Sequence, residues 1–360
     1  MPNSQKLSKL KKYYEITLET ITPVHVGSGE EYINGLDFIG DIFFDINRLM
    51  REASTDSKMM NNLCNEIEKG NLRNFYNSNR ELFSKISEKK SIPNSISGQN
   101  IKKHIKTNGK IYLPGSSIKG AIRTAIAAHY AFGENERNRQ NSINYFNEEK
   151  KEKVNQKTAD QNLMNSIFGR DPKENLMRIL SVTDSEILNS SKIYEMRILG
   201  SSSMRDTKLF YEMIPDKTKI KCNLSIDEFL SFEEHRQKAQ IPKKAFSFEN
   251  IVDMLNTDSG EQINQNVEFN NDNIVEFYNN IGDIYTKLAS NEALFNLGAG
   301  IGWIGTTGNL IGEEMTESIR KNLKLAPHRL NFNFPKTRRV VDMNGEQIPP
   351  GWVKMTFKEI

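Results

Sequence analysis

The sequence predicts an α+β protein. Strand-like alternation of β-branched or aromatic residues with polar ones occurs at both ends of the chain and again in its middle. Longer segments with apolar residues at helical spacing lie between these stretches. Turns bearing glycine or proline separate the two kinds of segment. The simplest packing for such an order is a ferredoxin-like sheet backed by helices.

Residues 1–12 form a basic tail with Lys6, Lys9, Lys11 and Lys12. The alternation from Tyr14 to Ile21 predicts a strand, which Thr22-Pro23 ends. Val24 to Gly29 reads as a loop, and Leu36 to Asp45 as a hairpin partner turning at Gly40-Asp41. Ile46 to Lys90 is helical in outline, within an insertion spanning 53–108. Lys110 to Leu113 is a short strand and Pro114 to Ser117 a turn. A helix from Ile118 to Phe132 follows, with Ser116 or Ser117 as N-cap. The asparagine-rich stretch at 133–162 reads as a polar insertion, open to mobility. Strands follow at Met177–Thr183, Ile193–Leu199, Lys208–Ile214 and Lys219–Ile226. Helices are expected at Phe229–Lys238, Ile274–Leu294 and Thr316–Leu325. The end reads as strands at Lys336–Val341 and Trp352–Phe357 around an Asn344-Gly345 turn.

Composition narrows the classes. With 26% charged and 37% hydrophobic residues, the chain suits a globular protein. No apolar run approaches the roughly 20 residues of a membrane span, and the polar start carries no secretory signal. Two distant cysteines, Cys64 and Cys222, fit a reduced, cytoplasmic protein and are too few for a cysteine-based metal site. Net charge is only +3, but it is unevenly distributed. Residues 92–133 carry Lys102, Lys103, Lys106, Lys110, Lys119 and Arg123 with no acid, whereas 226–283 hold twelve acids against four bases. Such sorting allows a basic face for nucleic acid; ordinary solvated surface is the plainer reading.

Two glycine-rich segments carry the chemistry. In Tyr112-Leu113-Pro114-Gly115-Ser116-Ser117-Ile118-Lys119-Gly120-Ala121-Ile122-Arg123, a tight turn opens a helix. Gly115, Ser116 and Ser117 would present backbone amides to an anion, with Lys119 and Arg123 adding charge. A capped turn without ligand is the alternative. Gly115 to Gly120 has the spacing of the first part of a P-loop, but Ala121-Ile122 replaces the required Lys-Ser/Thr, which argues against nucleotide hydrolysis. The second segment lies within a loop at 296–309 and holds Gly298, Gly300, Gly302 and Gly305, with Trp303 placed either to stack on a base or to plug the core. Its letters match a dinucleotide fingerprint, but the preceding residues, Ala289 to Leu297, read as helix, the wrong context. Arg338 and Arg339 share a strand and must face opposite sides. His25 and Asp37 are the pair from which a metal-dependent ribonuclease could be built. Asp184 is a third candidate acid or a turn cap. The sequence calls for no cofactor or resident metal.

Together Thr22 to Gly29, Leu113 to Arg123 and the late glycine loop resemble the RAMP proteins of CRISPR systems. Phe334-Pro335-Lys336-Thr337-Arg338-Arg339 with Pro350-Gly351-Trp352-Val353 resembles, within that family, the Csm subunits that cap the guide RNA (crRNA) 3′ end in type III-A complexes. The resemblance implies a modified ferredoxin-like/RRM core over 13–360 with helical insertions and a β-hairpin thumb at 193–214. Arg205 would lie near the thumb tip. It also implies a non-catalytic role in antiviral defence, with guide RNA held through backbone and shape rather than base sequence. The partners it implies are the crRNA, the repeated Csm backbone subunit, the small subunit and host nucleases that trim the guide. RNA-binding residues carried by the resemblance and the motifs are His25, Gly115, Ser116, Ser117, Lys119, Arg123, Arg205, Gly298, Gly300, Gly302, Trp303, Lys336, Arg338 and Arg339. Asp37 falls near the position of the backbone subunit's catalytic aspartate but runs directly into a β pattern, so a strand residue is expected there. A metal-dependent ribonuclease using Asp37 and His25, or a purely structural cap, are the competing readings.

Overall fold

The computed structural model describes residues 11–96, 98–132, 137, 140–141, 161–173, 175–200, 204–227, 246–305, 335, 337–343 and 345–360. Most of the 1–12 tail and of the 133–162 insertion, Ser201 to Ser203, Lys336, the Arg205 side chain and the helices expected at 229–238 and 316–325 lie outside the described residues.

The chain opens with β1 (Lys11–Thr20), β2 (Gly27–Tyr32), β3 (Phe38–Ile39) and β4 (Ile42–Phe44). Four short helices follow: α1 (Ile46–Ala53), α2 (Ser57–Glu68), α3 (Arg73–Ser78) and α4 (Arg80–Ile86). Then come β5 (Ser87–Lys89), β6 (Ile101–His104), β7 (Lys106–Thr107) and β8 (Lys110–Ile111), leading into α5 (Gly115–Phe132) and α6 (Gln161–Phe168). A 3₁₀ turn at Leu176–Ile179 precedes β9 (Leu180–Val182), β10 (Lys192–Gly200), β11 (Met204–Met213) and β12 (Lys219–Asp227). The last part holds α7 (Phe248–Val267), α8 (Asp272–Tyr285), β13 (Glu292–Asn296), β14 (Thr337–Met343), β15 (Glu346–Ile348) and β16 (Trp352–Glu359).

A first, antiparallel sheet has the order β13-β16-β1-β12-β9. Its central strand shows why it forms. Tyr14, Ile16, Leu18 and Thr20 are buried, while Glu15, Thr17 and Glu19 alternate toward the other face. The buried face packs on Ile118, Ile122 and Ile126 of α5, on α6 and on α7. Each fully buried Ile or Leu contributes about 1.5–3 kcal/mol. The edge strand β13 is closed by α7. Asn256 donates to the Glu292 carbonyl (3.0 Å) and accepts from the Leu294 N–H (2.9 Å), and Ser259 reaches the Leu294 carbonyl.

A second sheet runs β15-β14-β10-β11-β6-β2, with only the β11–β6 pair parallel. A small sheet, β3-β4-β5, carries the helical insertion α1–α4 around Leu49, Leu63, Leu72, Phe75 and Phe83. Aspartates start two of these helices. Asp45 accepts from the N–H groups of Asn47 and Arg48, and Asp56 from those of Lys58 and Met59. Such caps stabilise by about 1 kcal/mol each. No helix among the described residues is long and apolar enough to cross a membrane.

The α+β class holds, and several local expectations change, among them the strand expected at Met177–Thr183, of which only Leu180–Val182 is strand after a 3₁₀ turn. The helix predicted for 274–294 ends at Tyr285, and 292–296 is strand β13, because β16 needs a partner along that edge. Gly27 to Tyr32, read partly as loop, pairs with β6. Asp37 lies in the turn before β3 rather than in the strand. The helix predicted from Ile118 starts at Gly115, so Ser116 and Ser117 sit in its first turn and do not cap it.

Candidate nucleic-acid interface

The three segments singled out in sequence converge on one seam, joined by backbone bonds and by the His104 ring. The Ala299 N–H donates to the His25 carbonyl (2.7 Å), which ties the glycine loop to residues 23–27. The Ile105 N–H donates to the Val26 carbonyl (2.8 Å). His104 then links both to the approach of α5. Its Nε2 meets the Tyr112 carbonyl at 3.0 Å and its Nδ1 meets the Val26 N–H at 3.2 Å. A carbonyl only accepts and an N–H only donates, so this imidazole is the neutral Nε2–H tautomer. Burial, first of all, lowers its pKa to about 4.

The start of α5 has almost no free space. A Cβ on Gly115 would lie 2.3 Å from the Val182 carbonyl oxygen and 2.6 Å from the Thr183 carbonyl, so only glycine fits. The Gly115 N–H donates to the Asp184 carboxylate (2.8 Å), and the Ser117 N–H to the Pro114 carbonyl (3.0 Å). The expected anion seat at the helix start is therefore already filled, at Gly115, by the protein's own carboxylate. Asp184, the third sequence candidate, is a cap from a remote segment. One turn into the helix stands Lys119, half-buried, with its pKa lowered by burial and no described carboxylate paired with it. Arg123, a further turn on, lies with its guanidinium 5.3 Å from the centre of the Phe168 ring. Both cations are at i, i+4 and share a face, and Ser116 beside them is exposed.

The glycine loop is also built by packing. Gly298, at φ +84°, would place a Cβ 2.1 Å from the His25 carbonyl oxygen. Gly300 would meet Pro350 at 2.5 Å, and Gly305 would meet Ile301 at 2.3 Å. These three glycines admit the chain's own backbone and side chains, which accounts for them without a ligand. At Gly302, φ +65°, a Cβ would make only an ordinary contact, 3.7 Å from the Gly300 carbonyl oxygen. Trp303 is half-buried and packs against the core of the first sheet, as the plug reading expects. The loop does follow a strand, so that half of the fingerprint context is met, yet Gly300 and Gly305 face protein atoms where a pyrophosphate would approach.

On β14 the arginines separate as strand geometry requires. Arg338 turns inward. Its guanidinium lies 4.4 Å from the centre of the Phe269 ring, bonds Asn266 and donates to the Pro335 carbonyl (3.0 Å). Burial lowers its pKa to about 10. Arg339 is exposed. Arg338 is thus held within the protein, and Arg339 is the member of the pair facing solvent.

His25 is corrected by the structure. It is 3% exposed, its Nδ1 donates to the Glu212 carbonyl (2.7 Å), and its ring meets Tyr211 and His104 edge-on. Burial lowers its pKa. So placed, its side chain reaches no surface on which RNA could lie. Asp37 accepts from the Ile33 N–H (2.7 Å) and closes its own turn. No hydrogen bond or ion pair among the described residues joins it to His25.

Sequence reasoning missed a buried polar node at Glu212. This carboxylate is 0% exposed and is met by Lys90 (2.7 Å), Lys106 (3.0 Å), Ser191 (2.8 Å), the Tyr32 hydroxyl (3.3 Å) and the His104 N–H (3.3 Å). Burial alone would raise its pKa, but Lys90 and Lys106 outweigh that and hold it at about 2. Lys102 pairs with Glu31 (2.9 Å) and Lys103 with Glu30 (3.7 Å). Half of the apparent basic stripe at 92–133 is therefore neutralised by acids of β2 and β11. No single-segment pattern carried this signal, since the partners come from distant strands.

Comparison with known proteins gives the family and the fold. The RAMP superfamily profile matches residues 17–305. The chain is 25% identical over 392 residues to the CRISPR system Cms protein Csm5 of Methanocaldococcus jannaschii, covering 96% of this chain and 89% of that protein. Among solved structures, a chain of the Csm–crRNA–target RNA ternary complex of a type III-A CRISPR–Cas system superposes with a TM-score of 0.70. Identity there is 22%, over 96% of this chain and 100% of the other. The crystal structure of T. onnurineus Csm5 gives 0.63 at 17% identity, covering 94% and 99%.

Proposed function

We propose that this chain, which belongs to the RAMP superfamily, is a non-catalytic guide-RNA-binding subunit of a type III-A CRISPR (Csm) interference complex. In this reading it caps the crRNA 3′ end, abuts the repeated backbone subunit and the small subunit, and supports guide trimming by recruited nucleases. Its core is of the modified RRM type, with the β10–β11 hairpin as thumb. The Csm5 relative and the type III-A complex whose chain shares this fold support the reading.

The observation that carries it is the convergence of the three motif segments, one of which leads into the helix bearing Lys119 and Arg123, two cations that no described carboxylate neutralises. Half-buried cations without acids fit a phosphate chain. Ser116, Ser117, Gly302 and Arg339 would extend the contact, with Lys336 and Arg205 adding charge. The burial of His25 and the engagement of Asp37 in its own turn weigh against a ribonuclease built from that pair.

The test is binding and cleavage in one tube: purified protein with end-labelled guide RNA, with and without divalent metal, across a salt series. Salt-sensitive binding of intact RNA is the expected result. Metal-dependent cutting that disappears in Asp37→Ala would refute it.

A further inference from the structure

Resting on the reading that Lys119 and Arg123 hold guide phosphate, we propose that Asp184 is a positioning residue that sets where the phosphate lies. Helix starts bind anions through their free N–H groups. Here Asp184 occupies that seat on α5, accepting from the Gly115 N–H at 2.8 Å. The seat is built around it. Ser185 exchanges bonds with Leu113: its Oγ accepts the Leu113 N–H and its own N–H donates to the Leu113 carbonyl, both at 2.9 Å. Thr183 ties the same segment to β12, its N–H reaching the Asn223 carbonyl (2.9 Å) and its Oγ1 accepting the Asn223 N–H (3.0 Å). Glu186 bonds Lys221 in both directions, at 2.9 and 3.1 Å. Gly115 closes the seat from the other side by packing directly on Val182 and Thr183.

A carboxylate fixed this firmly excludes phosphate from the helix end by charge and by occupancy. The cations begin four residues on, about 6 Å along the helix axis. Helical side chains lean toward the N-terminus, so Lys119 projects back over the turn that Asp184 caps. The phosphate is directed onto the Lys119 and Arg123 side chains and the neighbouring Ser116 and Ser117 hydroxyls, and is kept off the Gly115 amide by Asp184. That arrangement fixes the RNA against the helix flank rather than its tip.

Asp184→Asn keeps a cap acceptor and removes the charge, so the fold is retained. This variant is expected to bind guide RNA more tightly, by roughly fivefold at low salt, an increase that salt screens away. Asp184→Ala vacates the amide and is expected to gain a rise in melting temperature with millimolar inorganic phosphate beyond that of the unaltered protein. Cap loss without a positioning role would lower stability but could not raise RNA affinity. An Asp184→Asn protein that binds RNA no more tightly overturns the inference whatever the alanine variant does. Lys119→Ala with Arg123→Ala is measured in parallel. Loss of binding there, with Asp184→Asn unchanged, overturns the Asp184 role alone, whereas intact binding in the double variant removes the underlying reading and this inference with it.

Discussion

Lysines 102, 103 and 106 and the pair Lys119 and Arg123 belong to one acid-free stretch of sequence, yet the fold uses them in opposite ways. The first three meet Glu31, Glu30 and Glu212. Lys106 is part of a node in which one fully buried carboxylate is shared by two lysines. Lys119 and Arg123 meet no described acid. Lys119 loses solvation without compensation, and Arg123 rests on an aromatic ring. Lys106, opposed by a buried acid, belongs to the interior, and Lys102 and Lys103 sit in partly exposed pairs with Glu31 and Glu30; a cation that meets no described acid would be open to an external anion. A basic stretch in sequence therefore becomes a binding surface only where the topology supplies no acid.

The sharpest way to break this contrast is to remove the buried acid. Glu212→Ala leaves Lys90 and Lys106 facing each other without it and is expected to cost about 3–5 kcal/mol in denaturant-measured stability. A loss below about 1 kcal/mol would mean that the node is wetter than its burial indicates. Acid should expose the neighbouring imidazole next. His104 has a folded pKa near 4 against 6.5 unfolded, so below 6.5 the unfolded state takes up the proton first. Stability should fall by about 3 kcal/mol between pH 6.5 and 4. His104→Gln should flatten that segment of the pH profile. Glu212 acts lower: its stabilisation is present above its unfolded value of 4.5 and is lost as pH falls toward 2. Gly115→Ala drives a methyl group into the Val182 carbonyl and should cost about 1–3 kcal/mol. The smallest stability change is expected at the proposed RNA-binding cations, within about 0.5 kcal/mol for Lys119→Ala with Arg123→Ala.

The glycine segments and several of the strands were legible because their signals are local. Period-two patterns marked β1, β10, β12 and β16 to within a few residues, and Pro114-Gly115 marked the entry to α5. The partners were not legible. Gly115 is obligatory because Val182 and Thr183 press on it, and its amide is capped by a residue 69 positions away. Glu212, inside Phe210-Tyr211-Glu212-Met213, has the look of an ordinary strand acid, and only the meeting of β6, β11 and the end of the helical insertion makes it a core charge. His25 misled for the same reason: a histidine beside glycines suggests an active loop, whereas here the glycines permit its burial. The strand β13 was hidden by a helical-looking sequence that pairing with β16 overrides.

The most direct measurement is the salt dependence of guide-RNA binding for three proteins: the unaltered chain, Lys119→Ala with Arg123→Ala, and Lys102→Ala with Lys103→Ala. Each lost phosphate contact lowers the slope of log affinity against log salt by about one. The expected result is a weaker, flatter dependence for the α5 variant and an unchanged slope for the β6 variant, whose lysines are paired with Glu31 and Glu30. Equal slopes in all three, or a flattened slope in the β6 variant alone, would contradict the division between acid-paired cations and the proposed binding cations.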